Sequence, residues 1–112
     1  MDYAVEYYEQ ADGTRPAEEF ILAQDKKMQA KLFLVLEFLE ERGPALREPY
    51  SKPLGDGIFE VRAKQGTDIS RVLYFFVVGR KIILTNRPRH GRLTEPSVTG
   101  RIIKAGRRID YG

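Results

Sequence analysis

The sequence contains no cysteine. Disulfides and thiolate metal sites are therefore excluded, and a reducing compartment fits, here the cytoplasm. Its single histidine, His90, cannot build a zinc site alone. Apolar runs such as Leu73 to Val78 and Ile82 to Leu84 fall far short of the roughly 20 residues a membrane-spanning helix needs, as does the longest, Val72 to Val78. The opening residues Met1 to Glu9 show no basic segment followed by an apolar run, so no signal peptide is expected. There is no phosphate-binding glycine loop, no Gly-x-Ser-x-Gly elbow and no cluster of metal ligands. A serine triad would need a partnered histidine, and His90 sits in a stretch rich in glycine and proline. No metal and no cofactor are expected.

What is present is charge, and it is polarised. The chain has 112 residues, enough for one domain spanning 1–112, and carries a net charge of +3. Met1 to Glu48 holds six basic and eleven acidic residues, a net −5. Pro49 to Gly79 holds four basic and three acidic residues, and Arg80 to Gly112 holds nine basic and two acidic, a net +7. A basic C-terminal third suits a polyanionic partner, or else a solvated tail.

The pattern of apolar residues predicts an α+β domain in the order β-α-α-β-β-β. Tyr3, Val5 and Tyr7 alternate as in a strand. Thr14-Arg15-Pro16 opens a short helix to Ala23, with Thr14 as a hydroxyl cap and Glu18 and Glu19 in the first turn. Asp25 caps a longer helix in which Met28, Leu32, Val35, Leu36 and Leu39 form an apolar stripe, widened by Phe33 and Phe38. Gly43-Pro44 stops it. Glu48 to Gly57 reads as a loop, broken by two prolines and two glycines. Ile58 to Ala63, Ile69 to Val78 and Lys81 to Asn86 then read as three strands joined by tight turns. Arg87 to Gly112 has no clear period. Two helices would cover one face of a small antiparallel sheet, leaving the other face partly open.

Alternation along the central hairpin separates its two faces. If the turn centres between Gly66 and Thr67, Arg62 lies opposite Arg71. Phe59, Val61, Val72, Tyr74 and Phe76 then face the helices. Like charges directly opposite are unfavourable in a sheet unless something anionic meets them. Either a ligand or a nearby acid such as Glu60 could do so.

Cutting RNA without a metal requires a base to take the 2′-hydroxyl proton. It also requires cations to hold the growing phosphate charge, and an acid to protonate the departing 5′-oxygen. Arginine suits the middle task, having a planar fork that matches phosphate oxygens. Lysine, histidine or tyrosine can move protons if close cations shift their pKa values. The sequence offers Lys52, Lys64, Arg62, Arg71, Tyr74 and His90, and the run Arg87, Arg89 and Arg92.

Two segments carry a resemblance. Lys52-Pro53-Leu54-Gly55-Asp56-Gly57-Ile58-Phe59-Glu60-Val61-Arg62 resembles the K-x-L-x-x-G-L-F-E-L-R segment of phage-derived HigB-like toxins, in the RelE/ParE superfamily. Ile69-Ser70-Arg71-Val72-Leu73-Tyr74-Phe75-Phe76 resembles their I-x-R-V-x-Y-x-F strand. The likeness runs from about Tyr3 to Asn86. It implies a RelE-like fold and a ribosome-dependent endoribonuclease that cuts messenger RNA and so inhibits translation. It also implies a cognate helix-turn-helix antitoxin, through which alone the toxin reaches operator DNA, and no membrane partner. Within it Arg71, Arg62 and Lys52 match the family's catalytic positions, with Tyr74 following Arg71. The tail departs from the family's lysine-rich run, and His90 falls where a lysine is expected, as a candidate proton carrier. Lys64, Arg87, Arg89, Arg92, Arg107 and Arg108 are the expected RNA or ribosome contacts. A ParE-like toxin acting on a protein such as DNA gyrase, and a plain RNA-binding module, are the alternatives.

Overall fold

The computed structural model describes residues 3–86 and the backbone of strand 101–104. The observed order is β1 (Ala4–Glu9), α1 (Pro16–Leu22), α2 (Lys26–Arg42), a 3-10 turn at Gly43–Ala45, β2 (Ser51–Gly55), β3 (Ile58–Gln65), β4 (Asp68–Val77), β5 (Lys81–Thr85) and β6 (Arg101–Lys104). Both helices, β1, and the three strands of the central meander lie where the sequence places them, within a residue or two. The class is α+β, in agreement with a small RelE-like fold.

The sheet has the order β2-β3-β4-β5-β1-β6. It is mixed, not antiparallel throughout: β1 runs parallel to β5, with Val5 against Ile82 and Tyr7 against Leu84. A strand far away in sequence is thus inserted beside the meander, a pairing that local alternation does not encode. Two further strands lie where the sequence suggested none. Ser51–Gly55 is a strand despite Pro53 and Gly55, because β2 lies at the sheet edge and an edge proline need not donate to the ladder. Arg101–Lys104 pairs antiparallel with β1, although its two isoleucines are too short a run to show a period.

The helices form as their sequences dictate, with one exception. Asp25 caps α2, its carboxylate accepting from the Met28 N–H at 2.8 Å. Thr14 does not cap α1. Its hydroxyl donates to Asp12 Oδ1 at 2.7 Å and its N–H donates to the same oxygen at 2.9 Å. The cap position belongs to Arg15, which makes no side-chain cap bond, and Pro16 opens the helix in its first turn.

Both helices lie on one side of the sheet, α2 against β3 and α1 against β1 and β5. The apolar stripe Met28, Leu32, Val35, Leu36 and Leu39 is buried there against Val5, Tyr7, Val61, Val72, Tyr74, Ile82 and Leu84, with Phe33, Phe38, Phe59 and Phe76 partly buried around it. No helix among the described residues is long and apolar enough to cross a membrane.

Candidate active site on the uncovered face of the sheet

The β3–β4 hairpin fixes the site. Gly66 sits in the turn with φ +66°, and Gln65 pairs with Asp68, so the ladder runs back in the register Lys64–Ile69, Ala63–Ser70, Arg62–Arg71 and Val61–Val72. Arg62 therefore stands directly opposite Arg71, on the face away from the helices. Phe59, Val61, Val72, Tyr74 and Phe76 occupy the helix face.

The two guanidiniums share one carboxylate. Glu60, nearly buried, brings Oε2 to 2.8 Å from Arg62 Nε and 3.4 Å from Arg71 Nε. In both contacts the closest nitrogen is Nε. Arg71 keeps half its side-chain surface exposed, and Arg62 about 29%. One carboxylate cannot neutralise two guanidiniums, so this trio retains +1. The β2–β3 register adds a third cation, since Lys52 is the strand partner of Glu60 and shares its face. Among the described residues, Lys52, Arg62 and Arg71 thus share this part of the face with one acid, for a local charge of +2.

Exposure changes across this face. It is open around Lys52, Arg62, Arg71 and Ile69, and buried towards β5 and β1 at Phe75, Ile83, Thr85 and Glu6. The cluster therefore lies at the open end, where a large anion has access.

Tyr74 is a correction. The sequence offered it as a proton carrier beside Arg71, but it belongs to the opposite face and is 1% exposed. Its hydroxyl lies 2.6 Å from Ser51 Oγ, its ring stacks on Phe59 with centroids 5.4 Å apart, and burial raises its pKa, opposed in part by the Ser51 hydrogen bond. It is a core residue holding the edge strand β2 against the sheet. Its spacing from Arg71, three residues, already put it on the other side of the pleat.

Lys64 lies one row beyond the arginine pair, opposite Ile69, and is exposed. His90, Arg87, Arg89, Arg92, Arg107 and Arg108 lie outside the described residues. Glu60 is the member of the cluster that sequence reading undervalued. Its parity with Arg62 on one strand was the available signal, and it pointed only to charge neutralisation. Among the described residues no group of three histidine or acidic side chains is placed to hold a metal ion.

The family described as "Phage derived protein Gp49-like (DUF891)" matches residues 19–87 of the chain, more than half its length. The matched stretch runs from α1 to the end of β5 and contains Lys52, Glu60, Arg62 and Arg71. No curated protein matches the chain.

Proposed function

The chain belongs to the Gp49-like phage-derived protein family, part of the RelE/HigB-like toxin group, and on that premise we propose that it is a ribosome-dependent endoribonuclease cutting messenger RNA by metal-independent 2′-hydroxyl attack. The observation that carries this reading is the opposition of Arg62 and Arg71 on the face away from the helices, with one carboxylate, that of Glu60, between them among the described residues. A sheet gains no stability from two guanidiniums side by side. A phosphodiester passing through a more highly charged transition state is stabilised by them.

In the proposed reaction the 2′-oxygen attacks phosphorus and the bond to the 5′-oxygen breaks. The products are a 2′,3′-cyclic phosphate and a 5′-hydroxyl. Arg62 and Arg71 hold the non-bridging oxygens as charge accumulates on them. Among the described residues of the cluster, Glu60 is the group able to accept the 2′-hydroxyl proton and Lys52 the group able to supply one to the leaving oxygen. A cognate helix-turn-helix antitoxin is the proposed neutralising partner, and the cytoplasm the proposed compartment.

The decisive experiment combines purified protein, translating ribosomes and a defined message, read for new 5′ ends. New ends with ribosomes and none without them are expected. Growth arrest without any new ends would move the target from RNA to a protein.

A further inference from the structure

Beside the arginine pair, a groove of about 320 Å³ opens between α2 and the free edge of β3. It lies just beyond the start of β2. Tyr50, just before β2, accepts the Arg62 N–H at 2.8 Å through its carbonyl, and β3 continues past that point to Gln65. The groove has two kinds of wall. Leu34, Tyr50 and Ile69 give it an apolar surface, and all three are among the exposed large apolar residues of the protein. Lys31, Arg62 and Lys64 contribute three cations, and among the described residues no acid lines it.

Each feature narrows the occupant. Arg62 is paired with Glu60, but Lys31 and Lys64 bring two further cations to a groove lined by no acid among the described residues, and these select an anion. Apolar walls require that the anion carry a flat or apolar part. The volume is at the lower end for ligand pockets, room for one base with its ribose but not for a length of polypeptide. The ring of Tyr50 packs edge-on against Phe38 with centroids 5.1 Å apart, so it is held in place while remaining partly exposed. A fixed, exposed aromatic beside cations is the arrangement on which bases stack.

Position supplies the last constraint. Arg62 belongs both to the groove and to the cluster with Glu60 and Arg71. The Lys64–Ile69 row follows the Arg62–Arg71 row two residues along the hairpin, roughly 7 Å away. That is about one nucleotide step along an RNA chain.

We infer that this groove is a nucleotide subsite, seating the base next to the scissile phosphate against Tyr50, Leu34 and Ile69, with Lys31 and Lys64 on the adjoining phosphate. The inference rests on the nuclease reading, and supplies the element by which such an enzyme would choose where to cut.

The test uses the full-length protein and two independent readouts. In the first, isotopically labelled protein is titrated with 2′-O-methyl RNA dinucleotides, which cannot be cleaved. Amide shifts at Lys31, Leu34, Lys64 and Ile69 are expected, in addition to shifts at Arg62 and Arg71. In the second, Tyr50→Ala and Leu34→Glu are assayed for cleavage on ribosomes. Both should raise KM by about tenfold, leave kcat nearly unchanged and alter base preference beside the cut, and Tyr50→Phe should restore the parent's values.

Shifts confined to Arg62 and Arg71, or unchanged KM and base preference in both variants, would overturn the subsite while leaving the nuclease reading intact. Groove shifts in a protein that cuts no message would support the subsite and sink the nuclease reading. An acidic leucine-containing peptide that shifts the groove amides when the dinucleotides do not would make this a protein-docking surface and overturn the inference.

Discussion

The carboxylate of Glu60 lies 2.8 Å from Arg62 Nε, with Arg71 Nε approaching the same oxygen at 3.4 Å. This geometry gives Glu60 two separable effects. It lowers the positive charge of the cluster by one, and it places a proton acceptor beside the phosphate site. Glu60→Gln keeps the shape and removes both. RNA affinity should therefore hold or rise, with a salt slope steeper by about 1, because the cluster gains one positive charge. Turnover should fall by about 10²- to 10⁴-fold as the acceptor is lost. Filter binding across a salt series, with kcat and KM from the ribosome assay, separates the two effects. Unchanged kcat would leave Glu60 as a spacer between the arginines.

Arg71 is the cation whose removal should cost activity without costing the fold. Half its side-chain surface faces solvent, and its ion pair with Glu60 is long. Exposed pairs of this kind contribute little, so Arg71→Ala should change stability by no more than about 0.5 kcal/mol. Loss of one preorganised donor to a developing oxyanion typically lowers kcat by about 10²- to 10³-fold. The variant should melt like the parent and fail to arrest growth. Arrest at the parent's level would remove Arg71 from the site.

Tyr74 should behave in the opposite manner. Tyr74→Phe leaves Ser51 Oγ buried without its 2.6 Å partner, costing about 1 kcal/mol at neutral pH, while cleavage stays at the parent's level. Burial raises the tyrosine's pKa, the Ser51 hydrogen bond opposing this in part, so the folded state holds the phenolic proton more tightly than the unfolded chain does. The parent's stability is then fully present below the unfolded tyrosine pKa of about 10, and declines as pH rises from there through the higher folded value. The phenylalanine variant lacks this titration. Denaturant melts at neutral and strongly alkaline pH should show the gap between parent and variant narrowing at high pH. A gap that widened would refute the assignment of Tyr74 to the core.

How far the sequence reached depended on whether the relevant physics was local. The stripe from Met28 to Leu39 and the opposition of Arg62 to Arg71 follow from periodicity and one turn, and both are present. The insertion of β1 between β5 and β6 follows from which apolar surfaces remain uncovered after the meander forms, a global matter. Pro53 concealed β2, since a proline counts against a central strand but not against an edge. Thr14 has the residue type of a helix cap, yet its hydroxyl is engaged one turn too early, by Asp12. At the site the three cations were legible as charges and Glu60 as a possible counter-charge, whereas the place of Lys52 beside Glu60 became visible only once β2 was set beside β3.

Gly43 shows the same division and permits a test of packing. The sequence marks it as a helix stop, and its φ of +52° with ψ of −126° is a conformation that glycine alone adopts freely. A second constraint comes from Tyr3, the residue just before β1. The N–H of Tyr3 donates to the Glu40 carbonyl at 2.9 Å, and this brings the Tyr3 ring over Gly43, where an added Cβ would lie 2.6 Å from Cδ1. Gly43→Ala therefore meets both backbone strain and a clash, together costing about 2–4 kcal/mol. Tyr3→Ala removes the clash and leaves the strain. In a double-mutant cycle read by denaturant melts, the double variant should be less destabilised than the sum of the singles by about 1 kcal/mol or more. Strict additivity would mean that Gly43 is required for its backbone alone, and that the approach of Tyr3 to the end of α2 adds no constraint on that position.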